Sequence, residues 1–436
     1  HARPSRFAAR QTPYKPHRPM QVVDHHHTGR VGLALAGGGP EGAIYEIGAL
    51  RALDEAIEGL DLNAMPITVG VSAGAFVGAC LANGITTAQL VRSVLAEEPG
   101  EEPLTPELFL MPAVGELVRR GAEVPRRIVE ALADYLSRKD PQGGLLSALT
   151  GQLGPALPVG LFNNTPLRAY LERVFAKEGR TNDFRELRHP LVVVAADLDS
   201  GEAVRFGEGE WAQVPIAQAV QASTALPGLY PPVVIGGRYY VDGVLLKTLH
   251  TSVALERGAG LVLCVNPLVP VNTADAVQRG AMRRGNLVDQ GMPTVLSQTF
   301  RTLIHSRLDT GLAAYRERYR NADILLFEPR RDDYAMFFTN VFSFAARRRV
   351  CEHAYRSTLA NLAARRDEIT PVLARHRLRL REDVLGPPGR DLWESVGIPR
   401  TRARRPSRKK AIMPSTAATR DLRDALAALE DLLGDA

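Results

Sequence analysis

The chain has 436 residues, 54 Lys+Arg against 48 Asp+Glu, and a formal charge of +6. With 45% hydrophobic and 23% charged residues it has material for a sizeable core, which excludes a disordered or fibrous chain. The excess positive charge sits in the tails: residues 1–30 carry six Lys/Arg and one acid, 400–420 carry eight and none, 421–436 sum to −4, and the central 31–399 is left at −3. Such a distribution, with few aromatics beside the basic run, gives no reading of a nucleic-acid partner. Three scattered cysteines exclude a disulfide framework and fit a reducing, cytoplasmic setting; they read as buried small hydrophobes. No run approaches the roughly 18 apolar residues of a membrane span, and the Arg- and Pro-rich start does not read as a signal peptide. No Cys/His zinc spacing is present, and neither a metal nor a cofactor is expected; His25–His27 read as solvated leader residues.

In chain order, 1–30 reads as a disordered basic, Pro-rich leader. VGLALA (31–36) is a short apolar strand leading through glycines into a helix with Ile44, Ile47, Leu50 and Leu53 at helical spacing. ITVGV (67–71) is a second strand, running into Ser72 and the small-residue helix 73–82. Residues 97–160, rich in Pro and Gly with an amphipathic stretch around Ile128, Val129, Leu132 and Leu136, read as an inserted helical cap. LVVVAADL (191–198), PVVI (232–235), YYVDG (239–243), LVLCVN (261–266) and ADILLFEP (322–329) are further strands. Strands alternating with helices predict a sheet covered by helices on both faces. Residues 275–320 are helical, with Val295, Leu296, Phe300, Leu303, Ile304 and Leu308 as apolar positions; helices continue to about 385. The division expected is a catalytic domain over 31–270, a helical extension over 271–390 packed on it, and a basic linker with a short amphipathic helix over 391–436. The 400–420 run is a candidate for peripheral membrane contact through anionic lipid, and the leucine stripe of 421–433 a candidate for self-association.

Two glycine motifs carry chemistry. Gly37-Gly38-Gly39-Pro40-Glu41-Gly42 follows a strand and opens a helix, which satisfies a dinucleotide fingerprint. That fingerprint also needs an acid at the end of the second strand, where this chain has Gly70-Val71-Ser72. The same Gly70-Val71-Ser72-Ala73-Gly74 is a G-x-S-x-G, the sharp strand-to-helix turn that exposes a serine nucleophile. Taken together, the serine attacks an ester and backbone N–H groups of Gly37, Gly38 and Gly39 hold the oxyanion, Pro40 having no N–H to offer. The base is open between His250, preceded by Asp242 in the order of an ordinary triad, and Asp242 itself, which ends an apolar run before Gly243 and can take the proton directly.

With these three motifs in order, the chain resembles the patatin-like phospholipases, whose pattern is G-G-G-x-x-G, G-x-S-x-G and D-G-G/A. Asn164-Thr165-Pro166-Leu167, Ala196-Asp197-Leu198-Asp199-Ser200-Gly201 and Ser223-Thr224-Ala225-Leu226-Pro227 are similar to further family segments, and the resemblance covers about 31–270. It implies a three-layer α/β/α fold with a central, largely parallel sheet, a Ser72–Asp242 dyad, an oxyanion loop of Gly37, Gly38 and Gly39, and motif glycines Gly42, Gly70, Gly74 and Gly243. It also implies hydrolysis of lipid acyl esters of the phospholipase A or lysophospholipase type, without cofactor. The alternatives are a noncatalytic lipid-binding or scaffold protein on this fold, and an acyltransferase. Two residues depart from the family pattern. Glu41 stands where a basic residue is frequent and makes the expected mouth acidic; Val244 stands where Gly or Ala follows Asp-Gly and is expected to tilt the aspartate loop.

Overall fold

A computed structural model describes residues 29–95, 104, 107–113, 159–278, 287–331, 344–386 and 391–398. The leader, most of the inserted cap and the 400–436 tail, with the membrane-contact and self-association segments expected there, lie outside the described residues.

The chain enters the sheet at β1 (Val31–Leu35), crosses through α1 (Gly39–Ala56) to β2 (Ile67–Val71), and continues into α2 (Ala73–Ala82) and α3 (Thr87–Leu95). After the insertion come α4 (Thr165–Phe175), β3 (Leu191–Asp197), β4 (Ala203–Phe206), α5 (Ile216–Ser223), β5 (Val233–Ile235) and β6 (Arg238–Asp242). Helix α6 (Thr251–Glu256), β7 (Leu261–Val265), α7 (Met292–Arg318), β8 (Asp323–Phe327), α8 (Phe344–Ala364) and α9 (Arg366–Arg375) follow. The sheet order is β8-β7-β1-β2-β3-β6-β5, with β4 on the other edge of β3. The five strands from β8 to β3 are parallel; β4, β6 and β5 join antiparallel.

Alternation along the buried strands makes the three layers. Leu33, Leu35, Val193, Ala195, Leu261 and Leu263 face a core shared with α1, α2, α4, α5 and α8, whereas Ala34, Val192, Val194, Val262 and Cys264 face one shared with α6 and α7. Helix α1 is buried almost all round because α8 lies against its outer side. The backbones touch at Gly48, where an added Cβ would lie 2.3 Å from the Cys351 carbonyl oxygen. Cys80, Cys264 and Cys351 are free and buried, in the role of small apolar side chains. The described flanks of the insertion are tied beside the site: Met111–Pro112 pairs antiparallel with Phe162–Asn163, and the Tyr230 hydroxyl donates to the Phe109 carbonyl at 2.8 Å.

Candidate active site

The register of β3 brings two reactive side chains together. Along one edge, β2 pairs as far as Val71 opposite Val194, and in the next row β6 takes over with Asp242 opposite Ala195. Strand β4 pairs Val193–Ala196 along the other edge, so β2 and β6 share theirs. Because β2 runs parallel to β3 and β6 antiparallel, their C-terminal ends meet head-on. Ser72, the residue after β2, therefore meets Asp242, the last residue of β6.

Ser72 sits at φ 54°, ψ −120°, a backbone conformation costing a side-chain-bearing residue about 1–3 kcal/mol. Its surroundings hold it there. The Ser72 N–H donates to Ser223 Oγ at 2.8 Å, and that hydroxyl donates to the Val194 carbonyl at 2.6 Å. The Ser72 carbonyl accepts from Ala75 and Phe76 at the start of α2, and the Gly74 N–H donates to the Ala36 carbonyl at 2.9 Å, linking the elbow to the glycine loop. Both motif glycines are required by this crowding. A Cβ on Gly70 would fall 2.3 Å from the Gly74 oxygen, and one on Gly74 would fall 2.5 Å from the Leu35 carbonyl.

The Ser72 side chain faces the Asp242 carboxylate closely enough to favour its charged form, and the Val244 N–H donates to Asp242 Oδ1 at 2.9 Å. Burial dominates the electrostatics: Asp242 is 2% exposed, and its pKa is pushed up to about 7 despite Ser72 and the Val244 N–H, which pull it down. A carboxylate poised near neutrality and facing a hydroxyl can act as a base. Val244 supplies that bond while its side chain packs against the glycine loop.

That loop lies directly beside the serine: a Cβ on Gly37 would come 3.1 Å from Ser72 Cβ and 2.8 Å from Val244 Cγ2. Gly38 is pressed against Pro267, Gly39 opens α1 at φ 60°, and the Gly42 N–H closes on the Gly38 carbonyl at 2.9 Å. The Ala36 and Gly42 amides are spent in tying the loop down, and those of Gly37, Gly38 and Gly39 take no part in these bonds. Helices α1 and α2 both begin here, so two helix N-termini favour negative charge at one place. Gly243 follows Asp242 against the Val194 carbonyl, where an added Cβ would approach to 2.5 Å.

His250 does not join this group. Burial holds its pKa down at about 3, the Gly243 backbone beside it pulls the other way, and its Nε2 has no partner. Among the bonds of the described residues, none joins the His250 ring to Ser72 or Asp242. His305 lies among Asp309, Glu328 and Arg331, and His376 bonds Asp323. Among the described residues no group of His, Cys, Asp and Glu is arranged to hold a metal.

Sequence reasoning gave no role to two residues at this site. Ser223 was legible only as part of a Ser-Thr-Ala-Leu-Pro segment, whose Thr224, with Gln221 just before the segment, bonds Asn164, joining two separately noted segments. Arg301, on α7, carries no local signal at all. It reaches Glu41 at 3.9 Å with both side chains largely buried, so the mouth is not simply acidic. Burial pushes the Glu41 pKa up to about 7 against the pull of Arg301, and lowers that of Arg301. Glu41→Arg, which sets two cations together, is expected to lose about 1–3 kcal/mol of stability, and the exchange E41R/R301E to recover at least half of it. Denaturant unfolding of the four proteins of this cycle checks it; additive losses would show that the two side chains are not coupled.

The family model described as patatin-like phospholipase matches residues 33–255. An uncharacterized NTE family protein of Mycobacterium bovis is 32% identical over 142 residues, 32% of this chain and 21% of that protein. A second, from Mycobacterium tuberculosis, is 27% identical over 236 residues, 54% of this chain and 30% of that protein. The matched part thus spans less than a third of the length of these relatives. Among solved structures, VipD from Legionella pneumophila aligns with 17% identity and a TM-score of 0.33 over 81% of this chain and 72% of that one. ExoU in complex with SpcU, from the type III secretion system of Pseudomonas aeruginosa, aligns with 18% identity and a TM-score of 0.24 over 67% and 53%. With the family model covering half the chain, and the three motifs that define its pattern folded into one place, the chain belongs to the patatin-like phospholipase family.

Proposed function

We propose that this protein hydrolyses acyl esters of lipids, in the manner of a phospholipase A or lysophospholipase, through Ser72 and Asp242. The observation that carries the reading is the meeting of Ser72, at a positive-φ elbow, with the buried Asp242 carboxylate, whose charged form it favours, beside three consecutive glycines. Ser72 Oγ attacks the ester carbonyl carbon as Asp242 accepts its proton, and the carbonyl π electrons move to oxygen. Amides of Gly37, Gly38 and Gly39 and the N-termini of α1 and α2 stabilise that oxyanion. Collapse expels the alcohol, which takes the proton back from Asp242. Water then attacks the acyl-serine, passing its proton to Asp242, and Ser72 Oγ leaves with that proton as the fatty acid is released. Family membership supports lipid esters as the substrate class, and Arg301 beside Glu41 sets a cation against the acid of the mouth.

Hydrolysis of p-nitrophenyl butyrate, lysophospholipid, phospholipid and neutral glyceride by the wild-type chain and by Ser72→Ala tests this. The variant is expected to lose at least about 10³-fold in kcat/KM on every ester the wild type turns over. Equal hydrolysis by the two proteins would remove Ser72 from the reaction.

A further inference from the structure

Helix α7 is divided along its length. Its second half buries Leu308 and Leu312 against the second face of the sheet, as does Tyr319 just past its end. Its first half leaves large apolar side chains bare: Met292 is 73% exposed and Leu303 59%, with Leu296 and Phe300 exposed between them and Val288 exposed just before the helix. At about 100° per residue, Met292, Leu296, Phe300 and Leu303 fall within roughly 80° of one another, in a stripe about 16 Å long.

The other side of the same turns is bonded to the candidate active site. Arg301 reaches Glu41 on α1. Gln298 Oε1 accepts from the Val271 N–H at 3.1 Å, and its Nε2 donates to the Val271 carbonyl at 2.9 Å. Two contacts go to the loop after Asp242: the Thr248 hydroxyl donates to the Ile304 carbonyl at 3.2 Å, and Arg307, one turn further on and at the edge of the stripe, reaches back to donate from Nη1 to the Leu245 carbonyl at 2.8 Å. One helix therefore holds the glycine-loop helix and the aspartate loop on its inner side and presents an uncovered apolar stripe on its outer side.

We propose that this stripe docks on a lipid surface bearing anionic head groups, and so sets the mouth of the site against the membrane. Charge complementarity favours this occupant: from Met292 to Leu308 the helix has no Asp or Glu, and Arg307, at about 60° on the same wheel, stands exposed at the foot of the stripe, whereas Arg301 is committed to Glu41. The polar residues of the exposed turns are suited to a poorly hydrated boundary, because the Thr299 and Thr302 hydroxyls donate back to the Val295 and Gln298 carbonyls, each at 2.8 Å. Among the described residues no helix is long and apolar enough to cross a membrane, which leaves lying in the interface as the way this helix meets lipid. The inference rests on the lipid-ester reading for its purpose, but its test needs no turnover.

The full chain carrying Ser72→Ala, with and without the pair L296E/L303E, is sedimented with vesicles of phosphatidylcholine containing phosphatidylglycerol. The glutamates are expected to lower the partition coefficient at least about tenfold while leaving the thermal midpoint unchanged, since both leucines are exposed. Undiminished binding would overturn the proposal and assign any vesicle affinity to other basic segments. Loss of a dimer on analytical ultracentrifugation, with vesicle binding retained, would also overturn it, by making a second copy the occupant. Should the wild type prove inactive on every ester while the glutamates still abolish vesicle binding, the docking face would stand and the hydrolase reading would fall.

Discussion

Asp242→Asn is expected to lose at least about 10³-fold in kcat/KM on a soluble ester and, at pH 8, to unfold at a higher temperature than the wild type. The first effect follows from chemistry. An amide can still accept the Val244 N–H and touch Ser72, but it cannot take up a proton. The second follows from burial. The Asp242 carboxyl titrates near 4 in an unfolded chain and at about 7 in the folded protein. Between those values the folded state holds a proton that the unfolded state has released. Stability from this group therefore falls as pH rises from about 4 to about 7, and above 7 the full penalty of a buried charge remains, on the order of 2–4 kcal/mol. Asparagine removes that penalty, so the gain in melting temperature should amount to several degrees at pH 8 and shrink towards nothing near pH 4. Glu41 and Glu46, whose pKa values burial also raises, contribute equally to both proteins and cancel in the difference. For the same reason wild-type kcat/KM should climb with pH through about 7 as Asp242 ionises. Melting curves at several pH values and a pH–rate profile check the two halves separately. Retained hydrolysis in Asp242→Asn would end the dyad; a pH-independent difference in melting temperature would mean that the carboxyl is not ionised against its burial.

What could be read from the sequence was what is local. The apolar runs at 31–36, 67–71, 191–198, 261–266 and 322–329 coincide with strands to within two residues, because strands buried on both faces are nearly continuous in Val, Leu, Ile and Ala. The turn at Ser72 was legible because Gly70 and Gly74 are demanded by contacts only a few residues away, or with the adjacent strand. Strand β4, Ala203–Phe206, was missed: it is four residues long and half exposed, with Arg205 in its middle. The rest depended on register. Nothing near Asp242 in the chain says that β6 ends against the end of β2; that follows from how both pair with β3. Arg301 was beyond reach for the same reason, lying 260 residues from the glutamate it approaches, and the acidic mouth expected from Glu41 lost its simple meaning once α7 was in place.

Ser223 makes that dependence testable. Its hydroxyl is wholly buried and bridges two backbones, accepting from the Ser72 N–H and donating to the Val194 carbonyl. Ser223→Ala leaves a buried N–H and a buried C=O without partners, and each such loss costs about 1–3 kcal/mol. A loss of about 2–4 kcal/mol of stability is therefore expected, small enough for the domain to fold. The catalytic consequence is separate. Ser72 holds a backbone conformation that costs it energy, and its N–H is one of the few groups fixing it. Released, the elbow can relax away from positive φ, and Oγ then leaves the line between Asp242 and the glycine loop. Misplacement by an ångström is enough to slow attack about 10- to 100-fold, so kcat should fall by that factor with KM little changed. Labelling by a fluorophosphonate, which reports Ser72 reactivity without a bound acyl chain, should slow in proportion. A protein that is less stable but keeps both kcat and the labelling rate would reduce Ser223 to an ordinary structural bridge. A parallel fall in kcat and labelling, measured well below the melting temperature, would make it the residue that sets the angle of attack.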